Sequence, residues 1–121
     1  MKHYAKTVFV PKTEIDRLNR LLDVIYDEED MEREGVDFDS TLFLRAVKFD
    51  DGHEAHVRVC SGQHNLWSEA ILFDPDGNEV SCIDDCSYEH IDGDWYFETE
   101  DANYTVTITS EYKEKSENAA D

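Results

Sequence analysis

The stretch TLFLRAVKFDDGHEAHVRVC, residues 41–60, decides the predicted fold. Apolar side chains occur on both sides of its first half, as in a strand that is largely buried. Its second half alternates the apolar residues Ala55, Val57 and Val59 with polar ones, which is typical of a half-buried strand. Asp50-Asp51-Gly52 between the halves is a typical hairpin turn. The stretch therefore predicts two antiparallel strands joined by a tight turn.

Strand-like patterns continue on both sides of this hairpin. They cover residues 4–10, 66–73, 79–83, 95–99 and 104–112, and a turn rich in Asp, Pro and Gly occupies 74–78. Near the N-terminus, Thr13 has the position of a helix N-cap, and apolar residues at 15, 18, 21, 22 and 25 form one helical face. We interpret the acid-rich segment 27–39, which has a possible short helix ending at Gly35, mainly as a solvated connector.

The predicted fold class is α+β. One N-terminal amphipathic helix packs on a curved antiparallel meander sheet of about six strands. Residues 1–112 form a single domain, because no linker divides the chain, and residues 113–121 form a flexible tail without apolar anchors.

Composition limits the function. The chain has 121 residues, 30 acids and 11 Lys or Arg, for a formal charge of -19. Such a field repels nucleic acid and anionic lipid, so direct binding to either is not expected. No apolar run approaches the ~20 residues of a membrane span. Three cysteines and no signal-peptide core favour reduced thiols in the cytoplasm.

Cysteine and histidine residues offer two alternatives. Cys60, His64, Cys82 and Cys86 form two short pairs of zinc-competent ligands, so a small zinc-binding structural module is one alternative. A cysteine hydrolase built on a Cys–His pair is a weaker one, because a negative surround raises the pKa of a thiol. We predict a non-enzymatic protein without a cofactor.

The distribution of charge gives the main hypothesis. Between Cys60 and Tyr112 there are thirteen acids and no Lys or Arg. Carboxylates two residues apart on a strand lie ~6.6 Å from each other, so an acidic sheet can imitate a phosphate backbone. We predict a protein partner with a basic surface, bound by the Lys- or Arg-facing carboxylates Asp27, Glu28, Glu29, Asp30, Asp84, Asp85, Asp92 and Asp94. The alternative is an acidic domain whose charge serves solubility alone, or adaptation to a salt-rich host.

A resemblance adds to this hypothesis. Residues 12–18 (KTEIDRL), 49–52 (FDDG), 59–62 (VCSG), 67–74 (WSEAILFD) and 77–80 (GNEV) resemble small acidic uncharacterised proteins encoded by phages and conjugative elements of gut bacteria. The resemblance covers most of residues 6–110 and implies a mobile-element origin, but no activity. Acidic products of such elements include DNA mimics that block host nucleases, which by analogy favours a DNA-mimic inhibitor of a nucleic-acid-handling protein.

Overall fold

The computed structural model describes residues 1–62, 65–86 and 89–110, without the side chains of 84–86. The predicted tail, 113–121, lies outside these residues. Within them the chain forms seven strands and two helices. In chain order these are β1 (Lys2–Val10), α1 (Lys12–Val24), α2 (Glu28–Glu34), β2 (Thr41–Lys48), β3 (Glu54–Ser61), β4 (Leu66–Phe73), β5 (Glu79–Cys86), β6 (Gly93–Glu98) and β7 (Ala102–Ser110).

The strands form two sheets. The order in the larger sheet is β2-β3-β4-β5, with each neighbouring pair antiparallel. The order in the smaller one is β1-β7-β6, in which β6 and β7 are antiparallel. Strand β1 pairs with β7 in parallel, from Lys2 opposite Ala102 to Val10 opposite Ser110. The α+β class with antiparallel sheet is confirmed.

Two details of the predicted fold need correction. The single six-stranded meander is replaced by two sheets, because the antiparallel pairing stops between β5 and β6, and the N-terminal strand joins the C-terminal one in the second sheet. A parallel pair needs a long crossover, and here the whole chain between β1 and β7 supplies it. One helix was predicted, but a second helix, α2, follows α1 in the structure.

The predicted hairpin forms as expected between β2 and β3. Gly52 has a φ of 96°, a left-handed conformation that glycine adopts without a steric penalty. Two backbone hydrogen bonds close the turn. The N–H of Gly52 donates to the carbonyl of Phe49 at 3.1 Å, and the N–H of Phe49 donates to the carbonyl of His53 at 2.8 Å. This turn brings Asp51 and His53 to one end of the larger sheet.

The N-cap of helix α1 lies two residues before the predicted one at Thr13. Pro11 occupies the N-cap position without a side-chain hydrogen bond, and its fixed φ suits the entry to a helix. The predicted apolar face is confirmed, since Ile15, Leu18, Leu21 and Leu22 are all buried. Helix α2 is capped by Asp27, and it ends at Gly35 with a φ of 72°. Its acidic first turn suits the positive end of the helix dipole.

One hydrophobic core joins these elements. It includes Leu18 from α1, Met31 from α2, Val57 from the larger sheet and Phe97 from the smaller sheet, each no more than 1% exposed. Both sheets therefore use their inner faces for the core, which leaves their outer faces and edges to carry charge. Among the described residues, no helix is long and apolar enough to cross a membrane.

Candidate acidic interface

Strand β6 lies at one edge of the smaller sheet and carries a row of acids. Trp95 and Phe97 point into the core at 7% and 1% exposure. Because side chains alternate along a strand, Asp94 and Glu98 point outward, and both are exposed. Three more exposed acids flank the strand. We call the five residues the acidic edge: Asp92, Asp94, Glu98, Glu100 and Asp101.

Helix α1 holds one end of the acidic edge in place through Asn19. The side-chain carbonyl of Asn19 accepts the backbone N–H of Ile91 at 2.9 Å, and its amide donates to Asp92 at 2.8 Å. The indole N–H of Trp95 donates to the carbonyl of Ile91 at 3.0 Å. Ile91 itself is fully buried. The segment that leads into β6 is therefore fixed to the body of the protein.

Neutral donors, not cations, contact the acidic edge. Asp92 accepts from the Asn19 amide, and Asp94 accepts from the hydroxyl of Thr107 at 2.6 Å. Within the described residues, no Lys or Arg forms an ion pair with any member of the acidic edge. Neutral hydrogen bonds fix a carboxylate without cancelling its charge, so this edge keeps its negative potential.

Cations are concentrated on the other elements. The Lys and Arg ion pairs of the described residues are Lys6–Asp50, Lys12–Asp16, Arg20–Glu34, Arg33–Asp30, Arg45–Glu14 and Arg58–Glu69. Glu69 is the one acid beyond residue 60 among them. Within the described residues, Lys and Arg ion pairs therefore neutralise several acids before residue 60 but only Glu69 after it.

The predicted acids at 27–30 have mixed roles. The Asp27 carboxylate accepts the backbone N–H of Asp30 at 3.0 Å and so caps α2. Asp30 accepts the backbone N–H of Tyr26 at 2.9 Å and pairs with Arg33. These two contacts, the backbone one first, hold the pKa of Asp30 below its ordinary value. Glu28 and Glu29 are exposed and remain available for a partner.

The remaining predicted acids fall in two places. Asp92 and Asp94 belong to the acidic edge. Asp84 and Asp85 lie on β5, and their side chains are outside the described part of the chain. Sequence reasoning did not single out Glu98, Glu100 and Asp101. The signal for Glu98 was its spacing from Trp95 and Phe97, which places it on the face opposite the core.

Two of the four candidate zinc ligands, Cys60 on β3 and Cys82 on β5, lie on separate strands. Cys60 pairs with Trp67, and Cys82 pairs with Ile71 four residues further along β4. Strand spacing and rise put the two Cα atoms roughly 16 Å apart, whereas the sulfur atoms bound to one zinc ion lie within ~4 Å. His64 and the side chain of Cys86 lie outside the described residues. Within those residues, no group of three potential ligands forms.

Cys60 also lacks the properties of a nucleophile. Its side chain is buried at 9% exposure. Burial raises the pKa of the Cys60 thiol. The nearby Arg58 guanidinium lowers this pKa and the Glu69 carboxylate raises it, and the net shift is upward. A thiol with a raised pKa carries little thiolate at neutral pH, so this site does not favour the hydrolase alternative.

A second polar cluster links the two sheets. The hydroxyl of Tyr104 on β7 donates to Asp51 Oδ2 at 2.6 Å, and His53 Nδ1 lies 3.1 Å from the same oxygen. Tyr104 is 2% exposed, and its ring stacks on Tyr4 with centroids 5.4 Å apart. No sequence signal indicated this cluster, because Tyr104 and Asp51 are 53 residues apart.

The protonation states in this cluster follow from its hydrogen bonds. Burial acts to raise the pKa of Asp51, but hydrogen bonds from Tyr104 and from the backbone N–H of His53 outweigh it and hold the pKa below its ordinary value. Burial, together with the hydrogen bond to Asp51, raises the pKa of Tyr104 well above its ordinary value. At neutral pH the cluster therefore contains an anionic carboxylate and a neutral phenol.

Known proteins give no guide to the function of this chain. No family model matches it, and neither the curated proteins nor the solved structures contain a significant match.

Proposed function

We propose that this chain is a non-enzymatic binding protein whose acidic edge contacts the Lys and Arg side chains of a protein with a basic surface. The observation that carries the proposal is that five exposed carboxylates contact no described cation. Two of them are held by neutral donors, at 2.8 Å for Asp92 and 2.6 Å for Asp94. Fixed carboxylates lose little conformational entropy when an arginine binds, which favours charge-assisted hydrogen bonds.

Charge complementarity of this kind acts first on association. A surface of one sign attracts a partner of the other sign over about one Debye length, roughly 8 Å at physiological salt. It raises the association rate more than it raises the affinity. The partner class is therefore defined by basic charge, and a basic patch is a mark of proteins that bind nucleic acid.

The sharper form of the proposal is DNA mimicry. Asp94 and Glu98 are four residues apart on one face of β6, about 13 Å by the rise of a strand. A DNA strand carries about four phosphates over that length. The acidic edge alone is sparser than a phosphate backbone, so mimicry requires additional acids, of which Glu28 and Glu29 are the exposed candidates. We place this activity in the cytoplasm and favour a mobile-element origin.

Affinity capture from a bacterial lysate tests the proposal. The bait is the full chain, and its variant carries Glu98→Lys, Glu100→Lys and Asp101→Lys, three exposed positions. We expect the native chain to capture a basic nucleic-acid-handling protein in low salt and to release it as salt rises. The variant is expected to lose this capture. A short DNA duplex is expected to displace the captured protein, because mimic and DNA compete for one groove.

A matched control separates the acidic edge from net charge. The control variant carries Glu32→Lys, Asp37→Lys and Asp76→Lys, which are exposed and lie outside the acidic edge. It changes the net charge by the same amount and is expected to keep the capture. Equal loss in both variants would contradict the assignment of the acidic edge. If DNA does not displace the captured protein, DNA mimicry is rejected, but the proposal that the acidic edge binds a basic protein still holds.

A further inference from the structure

The smaller sheet ends in two open edges, the strands β1 and β6. Each strand pairs with β7 on one side and, within the described residues, has no strand on its other side. Both pairings are regular, without a register shift, and neither strand contains proline. Regular edges of this kind present free backbone N–H and C=O groups to which another strand can bind.

The free backbone groups of β6 belong to its exposed residues. The backbone N–H of Thr99 donates to the carbonyl of Ala102 at 2.9 Å, and hydrogen-bonded pairs alternate along an antiparallel ladder from that point. The odd-numbered residues of β6 therefore bond to β7. The even-numbered residues turn their N–H and C=O groups to the open side, and all three of them are exposed: Asp94, Tyr96 and Glu98.

The free backbone groups of β1 belong to its odd-numbered residues. In a parallel pair, a residue bonds to the two residues that flank its partner. Thr105 of β7 is opposite Ala5, so its hydrogen bonds go to Tyr4 and Lys6, which leaves the N–H and C=O groups of Ala5 on the open side. The same holds for the other odd-numbered residues of β1, and all of them are exposed: His3, Ala5, Thr7 and Phe9.

The two edges carry charge of opposite sign. Residues 1–10 contain two lysines and no acid, whereas residues 92–101 contain five acids and no Lys or Arg. Lys6 pairs with Asp50, and Lys2 is exposed without an ion pair in the described part of the chain. Charge on an edge strand repels a like edge, but opposite charges across a strand pair are stabilising. The edge that complements β6 is therefore present on every copy of this chain.

We propose that β1 of one copy of this chain pairs antiparallel with β6 of a second copy, so that the two smaller sheets join edge to edge. His3, Asn103 and Glu98 already lie in one row across the sheet. Continuing that row into the next copy places His3 opposite Glu98, and in this register every residue with free groups on one edge meets one on the other. The two pairs that follow are Ala5 with Tyr96 and Thr7 with Asp94.

Side chains also suit this register. Tyr96 is 49% exposed and comes opposite the small side chain of Ala5, which leaves room for its ring. Lys2 comes opposite Thr99, between Glu98 and Glu100 along the chain. The net charge of -19 on each copy opposes association, but at physiological salt the screening length is roughly 8 Å. The charges at the seam therefore have the largest weight.

This pairing joins two different edges, so it has consequences for assembly size and for binding. A contact between different surfaces gives a ring or an open chain of copies, and not a two-fold dimer. The inference goes beyond the proposed function, because it needs no other protein. A second copy and a basic partner would compete for the acidic edge.

Sedimentation equilibrium of the purified full chain, in about 150 mM salt, tests the inference. We expect the weight-average mass to rise with concentration beyond that of two copies. Ala5→Pro removes a free N–H from β1 and no bond to β7, which an edge strand tolerates, and should weaken association at least tenfold, about 1.4 kcal/mol. The control Ala5→Ser keeps the N–H and should associate within twofold of the native chain.

Three results of this experiment would overturn the inference. These are a native chain that stays monomeric at about 1 mM, a concentration that detects even weak pairing, a mass that stops at two copies, and a folded Ala5→Pro variant that associates like the native chain. Circular dichroism shows whether the Ala5→Pro variant is folded. If it is not, the exchange of charges described next decides.

A charge exchange between the edges tests the pairing without proline. One variant carries Glu98→Lys and Glu100→Lys, and the other carries Lys2→Glu and His3→Glu. Each alone brings like charges together and should associate at least tenfold more weakly, whereas an equimolar mixture restores opposite charges at both seams and should recover association. The control, Lys12→Glu with Thr13→Glu on α1, has the same change in net charge as the second variant and should associate within twofold of the native chain.

The outcome of the exchange is decisive in either direction. Recovery on mixing supports the pairing of β1 with β6. No recovery, or a loss in the control equal to that in the second variant, would overturn it. Because only purified copies of this chain are used, that outcome is distinct from failure of the lysate capture.

Discussion

The ion pair on the outer face of the larger sheet gives the most quantitative prediction. Arg58 donates to Glu69 Oε2 through Nε at 2.9 Å and through Nη2 at 2.6 Å. The indole N–H of Trp67 donates to the other carboxylate oxygen at 2.5 Å. Glu69 is only 8% exposed. The substitution Arg58→Met keeps most of the side-chain volume and leaves this carboxylate without its cation.

The structure sets the size of the effect. Hydrogen bonds to charged groups contribute about 1.5–3 kcal/mol each, and a buried charge that loses its partner costs more. Since the Arg58 side chain is 37% exposed, solvent screening reduces the loss, and we expect about 2 kcal/mol. At an unfolding entropy of about 2.1 cal/mol/K per residue, this corresponds to a fall in Tm of roughly 8 °C for 121 residues.

A double-mutant cycle in urea measures the pair itself. We expect the loss in unfolding free energy for Arg58→Met plus Glu69→Leu to be at least 1 kcal/mol smaller than the sum of the single losses, because the second change removes the unpaired charge. The control, Lys48→Met, lies on the same outer face and is exposed, so it should change stability by less than about 0.5 kcal/mol. Additivity within about 0.3 kcal/mol would refute the reasoning.

Three further predictions concern single positions. Asp27→Ala removes the cap of α2 and should lower the unfolding free energy by about 1 kcal/mol, whereas Glu28→Ala should change it by a few tenths; equal effects in urea denaturation would contradict the cap. The folded pKa of Asp51 lies below 3.8, so its stabilising contribution is present above about pH 4 and is lost as pH falls through the folded pKa. Asp51→Asn should therefore flatten the dependence of stability on pH between about 4 and 2, and an unchanged slope would show that Asp51 contributes nothing. Gly62→Ala places a Cβ 2.9 Å from the ring of Trp67 and should cost about 1–3 kcal/mol with a shift in tryptophan fluorescence; a neutral variant would show that the ring has room to move.

Local elements of the fold follow from local patterns. Strand β4 was predicted at 66–73 and is observed at Leu66–Phe73. The hairpin β2–β3 and the apolar face of α1 were also predicted. In each case alternation, helical spacing or a turn residue acts over fewer than about fifteen positions. The prediction of Thr13 as N-cap is wrong, because the helix already begins after Pro11, whose fixed φ suits the first turn and which makes no side-chain hydrogen bond.

Long-range pairing was not predictable in the same way. The inner residues of β1 fit any sheet with an apolar face, so their alternation says nothing about β7, a hundred residues away. Helix α2 was obscured by its charge, although Asp27 and Gly35 are good capping residues at the right separation. Two of the five residues of the acidic edge, Asp92 and Asp94, were predicted from the sequence. Its lack of cations was visible in sequence, but its position on an exposed edge depends on the pairing of β6 with β7.

Protection of the sheet edge is the competing explanation for the acids on β6. Charged residues on an edge strand prevent pairing with another chain, and this role requires charge of either sign. The opposite edge of the same sheet is β1, which carries Lys2 and Lys6. Edge protection thus accounts equally for Lys on one side and for Asp and Glu on the other. It gives no reason for the negative sign of β6, or for its lack of a described cation, and binding to a basic partner gives a reason for both.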